Sequence, residues 1–482
     1  MPKGQAEPLI VATVGLVTLV GAAVVAYWDS PIGSTGVSRQ KINRIPGALP
    51  IVGDALTVAA KMDTFHDFSS GKLGISRSMA PSGITKFHVF DKGPRFQGVF
   101  LDFLGHGIFN SDGERWKNQR KLAANIFNVK NFKDFVSDVF VHEMELFGDV
   151  LQAHAQRGDT VDLQDLFYRF TFDSFTRIAF GIEMDTICDG KKAPFMVAFD
   201  EVQARTAKRF LTPLWEVSEF CNGQSRVHAR QISEIRDFGR SIIAKKRENE
   251  AAGVAQSESD LLSLLMKVKD EEGKLPGDDL LVDYALNFLL AGRDTTATLL
   301  TWSILLLHQH PETLIKLRDE ISNLSEGSTP TYEQIRTELP YANAVLHETL
   351  RLYPSVPQNM KQANADETLP DGTFVPKGSS VGWNTYAMGR TEAIWGPDAK
   401  EYRPERWLEM EKQPSTFDYP VFHAGPRVCL GKSMAELEGV FVLAEVLRKF
   451  EFEVLDVKDA AYSLSILLPK KNGLKVRVTE RK

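Results

Sequence analysis

The sequence predicts a mainly helical protein with a minor β sheet. "VDYALNFLLAGRDTTATLLTWSILLLHQH" (282–310) is long and apolar on nearly every side. A helix apolar all round is one buried inside its domain. Strand signals are few and late. "TLPDGTFVPKGSSVGWN" (368–384) sets a Pro-Asp-Gly turn between extended runs, and "FEFEVLDV" (450–457) and "LKVRVTE" (474–480) alternate at period two. The chain has 482 residues, 43% hydrophobic and 25% charged, an ordinary globular balance. Its net charge of -6 argues against a nucleic-acid partner, which usually draws a basic excess.

The elements follow in order. Pro8 to Trp28 holds no charge. As a helix it covers roughly 30 Å, one hydrocarbon core. Tyr27 and Trp28 stand where an interfacial aromatic belt would, and Arg39, Lys41 and Arg44 follow. The excess of positive charge on that side places the body in the cytosol. Residues 1–35 are therefore expected to be a membrane anchor and the start of a linker, and 36–482 a single catalytic domain. "RIPGALPIVGD" (44–54) is a Pro/Gly hinge between the two. The expected protein is single-pass and monomeric, in contact with membrane lipid, on the endoplasmic reticulum. His308 and His310 precede Pro311, which suits the end of the long helix rather than a metal pair.

Three cysteines, Cys188, Cys221 and Cys429, form no CxxC pair, which fits a reducing compartment. Cys188 and Cys221 read as small buried hydrophobes. Cys429 differs, because it lies in Phe422-x-x-Gly425-x-Arg427-x-Cys429-x-Gly431. Each of these residues has a reason if Cys429 is a thiolate bonded to the iron of a flat macrocycle. Gly425 and Gly431 let backbone approach a planar face. A helix starting near Leu430 brings its positive end to the sulfur. Phe422 shields the bond, and Arg427 offers a cation to a macrocycle carboxylate. Haem has such carboxylates, and a thiolate ligand donates electron density that favours O–O cleavage.

Four further motifs stand in order along the chain. "GERWKNQRKL" (113–122) puts Trp116 and Arg120 at i, i+4. "AGRDTT" (291–296) sets Asp294, Thr295 and Thr296 inside the apolar helix, and Gly292 there costs about 1 kcal/mol relative to Ala. A carboxyl beside a hydroxyl at an opened helix turn can pass protons. "HETLRLYP" (347–354) holds Glu348 and Arg351 on one helix face, and "YRPERW" (402–407) adds Arg406.

With its cysteine loop, this set resembles the cytochrome P450 haem-thiolate monooxygenases, from about Arg44 to the C-terminus. "GIFNSDGERW", "RLYPSVPQNMKQA" and "LPDGTFVPKGSSV" are most similar to the plant and fungal fatty-acid omega-hydroxylase branch. The resemblance implies that Cys429 is the axial ligand of haem b. It implies that Trp116 and Arg120 meet a haem propionate, with Lys361 a further contact, and that Glu348, Arg351 and Arg406 form a structural network. It implies that Thr295 steers proton delivery to dioxygen and that Asp294 belongs to the relay. One oxygen atom of O2 then enters a C–H bond of a lipophilic substrate, expected to be a long-chain fatty acid; a sterol, an alkane or another lipid is the alternative. The intact Asp294–Thr295 pair argues against an isomerase or a silent haem sensor on the same fold. Only 53 residues follow Cys429 (482 − 429), too few for a fused reductase. Electrons are expected from NADPH through a separate reductase, docked near Lys117, Lys121, Lys130 and Lys432. Phe96, Phe100 and Phe103 are expected in a loop roofing the haem, facing Leu286, Leu289 and Leu290. Arg205, Lys208 and Arg209 are candidates to hold a substrate carboxylate.

Overall fold

The computed structural model describes residues 88–481, apart from 128–129, 191–192, 213, 253–259, 269–272, 325–331 and 371. The anchor at 8–28 and the hinge at 44–54 lie outside the described residues. Among the described residues no helix is long and apolar enough to cross a membrane.

The main helices are α1 (Gly93–Leu104), α2 (Gly113–Phe127), α3 (Lys130–Arg157), α4 (Leu163–Phe180), α5 (Pro194–Leu211), α6 (Trp215–Cys221) and α7 (Gln224–Ala251). They continue with α8 (Asp278–Leu289), α9 (Thr295–Gln309), α10 (Pro311–Ser322), α11 (Pro340–Leu352) and α12 (Lys432–Lys449). The apolar stretch at 282–310 is the axis of this assembly, yet it is not one uninterrupted α-helix. α8 and α9 are joined by a π-helical turn at Leu290–Asp294. From Leu281 to Leu307 every residue is buried except Ala291, Gly292 and Thr295. Spaced i, i+1 and i+4, those three share one face. The helix stops at Gln309, and Pro311 opens α10. His308 Nδ1 meets the Ile304 carbonyl at 2.7 Å, a terminus bond within the helix.

Gly292 owes its place to packing. A Cβ there would lie 1.9 Å from the Phe175 ring of α4, so only glycine lets the two helices approach this closely. The segment after α1 is tied down as well. The His106 amide donates to Asp283 Oδ2 at 2.8 Å and the Phe109 amide to Asn287 Oδ1 at 3.0 Å.

Among the described residues, three small antiparallel sheets complete the fold. The first orders β1 (Phe90–Asp91), β3 (Gln358–Ala363) and β6 (Ser380–Asn384); the second orders β2 (Thr160–Asp162), β8 (Lys475–Glu480) and β7 (Phe450–Val454). The third pairs β4 (Glu367–Thr368) with β5 (Phe374–Val375). In β7, Phe450, Phe452 and Val454 are buried while Glu451 and Glu453 are exposed, the alternation its sequence shows.

Cys188 and Cys221 are exposed, against the expectation that they are buried. Both sit at the ends of short helices, Thr186–Asp189 and α6, where a small side chain has too little neighbouring structure to cover it. The helix after the cysteine loop starts at Lys432, two residues later than expected, with Gly431 as its N-cap.

Candidate active site

The thiol sits at the end of a tightly folded loop. Two short 3₁₀ turns, Pro420–Phe422 and Gly425–Arg427, lead into it. Gly425 has φ of 62°, a left-handed conformation in which a Cβ would be strained. The Cys429 amide donates to the Phe422 carbonyl at 2.8 Å and closes the loop. Phe422 itself packs at the edge of the main core. Burial pushes the Cys429 thiol above its ordinary pKa. The Gly431 N–H, Arg120 and Lys432 oppose that shift, and Glu436 adds to it. Its side chain nevertheless carries accessible surface. The two facts agree if the sulfur faces an enclosed space within the fold. A sulfur so placed ionises fully only beside a cation, which an iron ligand has. Gly431 has φ of -87°, open to any residue, and a Cβ there would meet no protein atom within 4 Å. The fold does not need this glycine; a flat group lying against the loop would.

Beside the loop stands a cluster of positive charge. Arg427 lies 4.5 Å over the Trp116 ring and donates to Asp112 Oδ1 at 2.6 Å and to the Ser111 carbonyl at 3.0 Å. Arg120 is half-buried and lies within electrostatic reach of Cys429. Lys361 is 2% exposed. Burial, then Lys92 and Arg427, push its amine down to about 6. Lys92 is lowered to about 7 by burial and by Arg427. Asp112 and Asp91 are the carboxylates that offset these cations. Amines depressed this far sit where added negative charge is stabilised, and the two carboxylates of a haem meet that demand. The residues present therefore fit the group: Cys429 for the iron, with Lys92, Lys361, Arg427, Arg120 and Trp116 for the carboxylates. Lys92 escaped the sequence reading because it lies outside any spaced motif, in the turn before α1.

The triplet at 294–296 sends its side chains three ways, as successive residues about 100° apart on a helix must. Thr295 Oγ1 donates to the Ala291 carbonyl at 2.7 Å and remains partly exposed on the face it shares with Ala291 and Gly292. Asp294 points to α5. Its Oδ2 accepts from Gln203 Nε2 at 2.9 Å and its Oδ1 from Arg293 Nη1 at 2.7 Å. Burial pushes its carboxyl up to about 7 against the pull of Arg293. Thr296 bonds Glu438 of α12, whose carboxyl burial raises to about 8. Glu438 is a second buried acid beside the triplet. The sequence offered one signal for it, a carboxylate on the apolar face of α12.

Glu348, Arg351 and Arg406 meet in one buried network. Arg351 holds Glu348 bidentately, with both contacts at 2.8 Å, and Arg406 Nε reaches Glu348 Oε1 at 3.1 Å. Trp407 Nε1 donates to Glu348 Oε2 at 2.9 Å, a partner the sequence reading missed. Arg351 also donates to the carbonyls of Gly389, Ala399 and Glu401. The network thus pins the segment between β6 and α12 onto α11.

The sequence model of the cytochrome P450 family matches residues 83–476. Cytochrome P450 CYP94D109 of Paris polyphylla is 39% identical over 421 residues, 82% of each chain. Cytochrome P450 94A1 of Vicia sativa is 36% identical over 76% of this chain and 72% of its own length. Cytochrome P450 monooxygenase cyp1 of Mycosarcoma maydis is 32% identical over 99% of this chain and 81% of its own length. The chain belongs to the cytochrome P450 family. It is a monooxygenase that uses haem-thiolate iron and O2 and takes its electrons from a reductase partner.

Proposed function

We propose that the protein hydroxylates a long-chain fatty acid at or near its methyl end. A terminal methyl C–H is stronger than the methylene C–H bonds beside it, so terminal attack requires a narrow channel that admits the chain end-on. The carrying observation is the aromatic wall between α1 and α5. The rings of Phe96, Phe100 and Phe210 stand 4.6, 5.6 and 5.7 Å apart. Phe103 meets Phe199 at 5.0 Å. These phenylalanines lie on a helix rather than in the expected loop. Phe103, Leu286 and Leu289 are fully buried and support the wall; Phe96 presents a surface.

Arg209 is not available to a substrate. It pairs with Asp102 and Glu219, each at 2.9 Å, and stacks 4.0 Å over Trp215. Arg205 donates to the Gln224 carbonyl at 2.8 Å, and Lys208 is exposed. Arg95, whose Nη2 reaches the Phe210 carbonyl at 3.1 Å, stands at the rim of the wall. It is the best-placed cation for a fatty-acid carboxylate.

When bound, haem supplies the reductive activation of O2, with the thiolate favouring O–O cleavage. The chain's own residues do the rest. Thr295 and Asp294 hold the protons that the reaction consumes, and the apolar wall excludes water and aligns the substrate. Lys117 and Lys432 are exposed, paired with Glu114 and Glu436 respectively, and belong to the candidate reductase-docking face. Attachment to the endoplasmic reticulum membrane rests on the apolar segment 8–28. Leu214, Val217 and Phe220, on and just before α6, add support, being 75%, 58% and 78% exposed.

Product analysis with a saturated fatty acid and its methyl ester tests the substrate reading. Mainly terminal hydroxy acid is expected, with weaker binding of the ester and less discrimination in Arg95→Gln. Mid-chain products, or turnover of a sterol alone, would replace the fatty-acid reading and leave the monooxygenase intact.

A further inference from the structure

Asp112 is met by donors from three parts of the fold. The Lys92 amide donates to both of its carboxylate oxygens at 3.0 Å, and the Gly93 amide and Gln97 Nε2 donate to Oδ2 at 3.3 and 3.1 Å. Arg427 Nη2 donates to Oδ1 at 2.6 Å. The Asp112 carbonyl accepts from the Trp116 amide at 3.3 Å and so opens α2. One residue thus touches the start of the helix that carries the phenylalanine wall, the start of the helix that carries Trp116 and Arg120, and the arginine two places before Cys429.

A helix start does not need so remote a partner. The usual cap is a Ser, Thr, Asp or Asn side chain at the N-cap itself. The N-cap of α1 is Lys92, which makes no side-chain cap bond, and Pro94 has no N–H to offer. The orphan amides of Lys92 and Gly93 turn instead to a carboxylate 20 and 19 residues further along the chain. The side chain of Asp112 is 17% exposed and that of Arg427 is 6% exposed, so salt screens their pairing little. The Lys92 amine lies 4.1 Å over the ring of Phe96, the wall residue that presents a surface. A guanidinium has five N–H donors in a rigid fork, so one arginine can hold two carboxylates at once.

We propose that Asp112 is a positioning residue that couples the haem site to the substrate wall. A haem carboxylate holds Arg427 on one side, Arg427 holds Asp112 on the other, and Asp112 holds the N-terminus of α1 with its phenylalanines. Haem loading therefore orders α1 as well as the cysteine loop. The inference rests on the reading of Arg427 as a carboxylate contact and of α1 as the wall, and it adds the link between them.

Hydrogen exchange of the α1 amides in haem-free and haem-loaded full-length protein tests this. In the parent, haem should slow their exchange about tenfold. Asn caps a helix as well as Asp does, but it carries no charge for Arg427. Asp112→Asn should therefore leave haem-free exchange within about twofold of the parent and lose the slowing by haem in α1, while α11 keeps its own. A cap of purely structural role would change both states alike. Arg427→Lys keeps a cation for the haem carboxylate but has no fork, so it should hold haem and lose the same coupling. Asp112→Glu should restore part of it. Haem transfer to apomyoglobin reports on Arg427 separately, and Arg427→Gln should release haem about tenfold faster. If Arg427→Gln releases haem at the parent rate, Arg427 leaves the carboxylate site and the coupling falls with it. If Arg427→Gln loses haem while α1 stays protected by haem in Asp112→Asn or in Arg427→Lys, the coupling alone is overturned. No substrate is added, so a failure of the fatty-acid reading would not alter either result.

Discussion

At the scale of single residues, the site is governed by buried charge. Cys429→Ala should abolish the red-shifted Soret band of the reduced carbon-monoxide complex, while Cys188→Ala and Cys221→Ala, both at exposed positions, should keep it. A normal band in Cys429→Ala would falsify the ligand assignment. Thr295→Ala should uncouple the enzyme, so that product per NADPH falls about tenfold and peroxide accumulates. Unchanged coupling would shift the role to Thr296 and its partner Glu438. Lys361 supplies a pH argument. Burial and its cationic neighbours depress its amine to about 6 in the haem-free fold, well below its value in the unfolded chain. The unfolded state then binds more protons between about pH 6 and 10.5, so haem-free protein should gain stability as pH rises through that window. Haem carboxylates raise the amine again, so haem binding at pH 7 should draw a proton onto Lys361. Lys361→Met should stabilise the haem-free protein, weaken haem retention and reduce the proton uptake that calorimetry in buffers of different ionisation enthalpy records. Equal uptake in variant and parent would rule this out.

At the scale of elements, position is set by a few close approaches and buried ion pairs. Gly292 lets α4 lie against the π turn, which explains why a residue costing about 1 kcal/mol stands in the middle of a helix. The Glu348–Arg351–Arg406 network fastens the segment leading to the cysteine loop. Removing one member leaves opposite charges buried without compensation, a loss of about 3–5 kcal/mol. Glu348→Ala should therefore express poorly and retain little haem. The full loss should also appear in the urea midpoint of whatever soluble protein is recovered. A variant with normal haem content and midpoint would show that the network is dispensable. α6 gives a different kind of prediction. Leu214, just before it, and Phe220 on it are 75% and 78% exposed. A protein lacking residues 1–35 should still float weakly with phospholipid vesicles, and Leu214→Ser with Phe220→Ser should abolish that. Flotation indifferent to both serines would assign membrane contact to the N-terminal segment alone.

At the scale of the molecule, the site is a meeting of distant segments. Lys92, Trp116, Arg120, Lys361, Arg427 and Cys429 come from four separated stretches of chain, and four of the six are cations. Asp294 looks toward α5, while Thr295 opens on the face with Ala291 and Gly292. The π turn that ends at Asp294 thus sets two neighbouring polar side chains on different faces of one helix.

The sequence by itself determined the helical class, the buried axis, the late strands of period two and the cysteine loop. Each depends on local pattern: apolar periodicity, turn residues, and fixed spacing between a thiol, an arginine and glycines. It did not reveal β1, β2 or β3. "QNMKQA" shows no alternation of apolar and polar residues, and its pairing with β6 is set by long-range register. Nor did it reveal the partners that side chains choose. Arg209 reads as a free cation on α5 and is instead held by Asp102, 107 residues away along the chain, and Glu219, 10 residues away. Burial is a property of the folded whole, so the depressed amines of Lys92 and Lys361 and the raised carboxyls of Asp294 and Glu438 exist only once distant elements close over them.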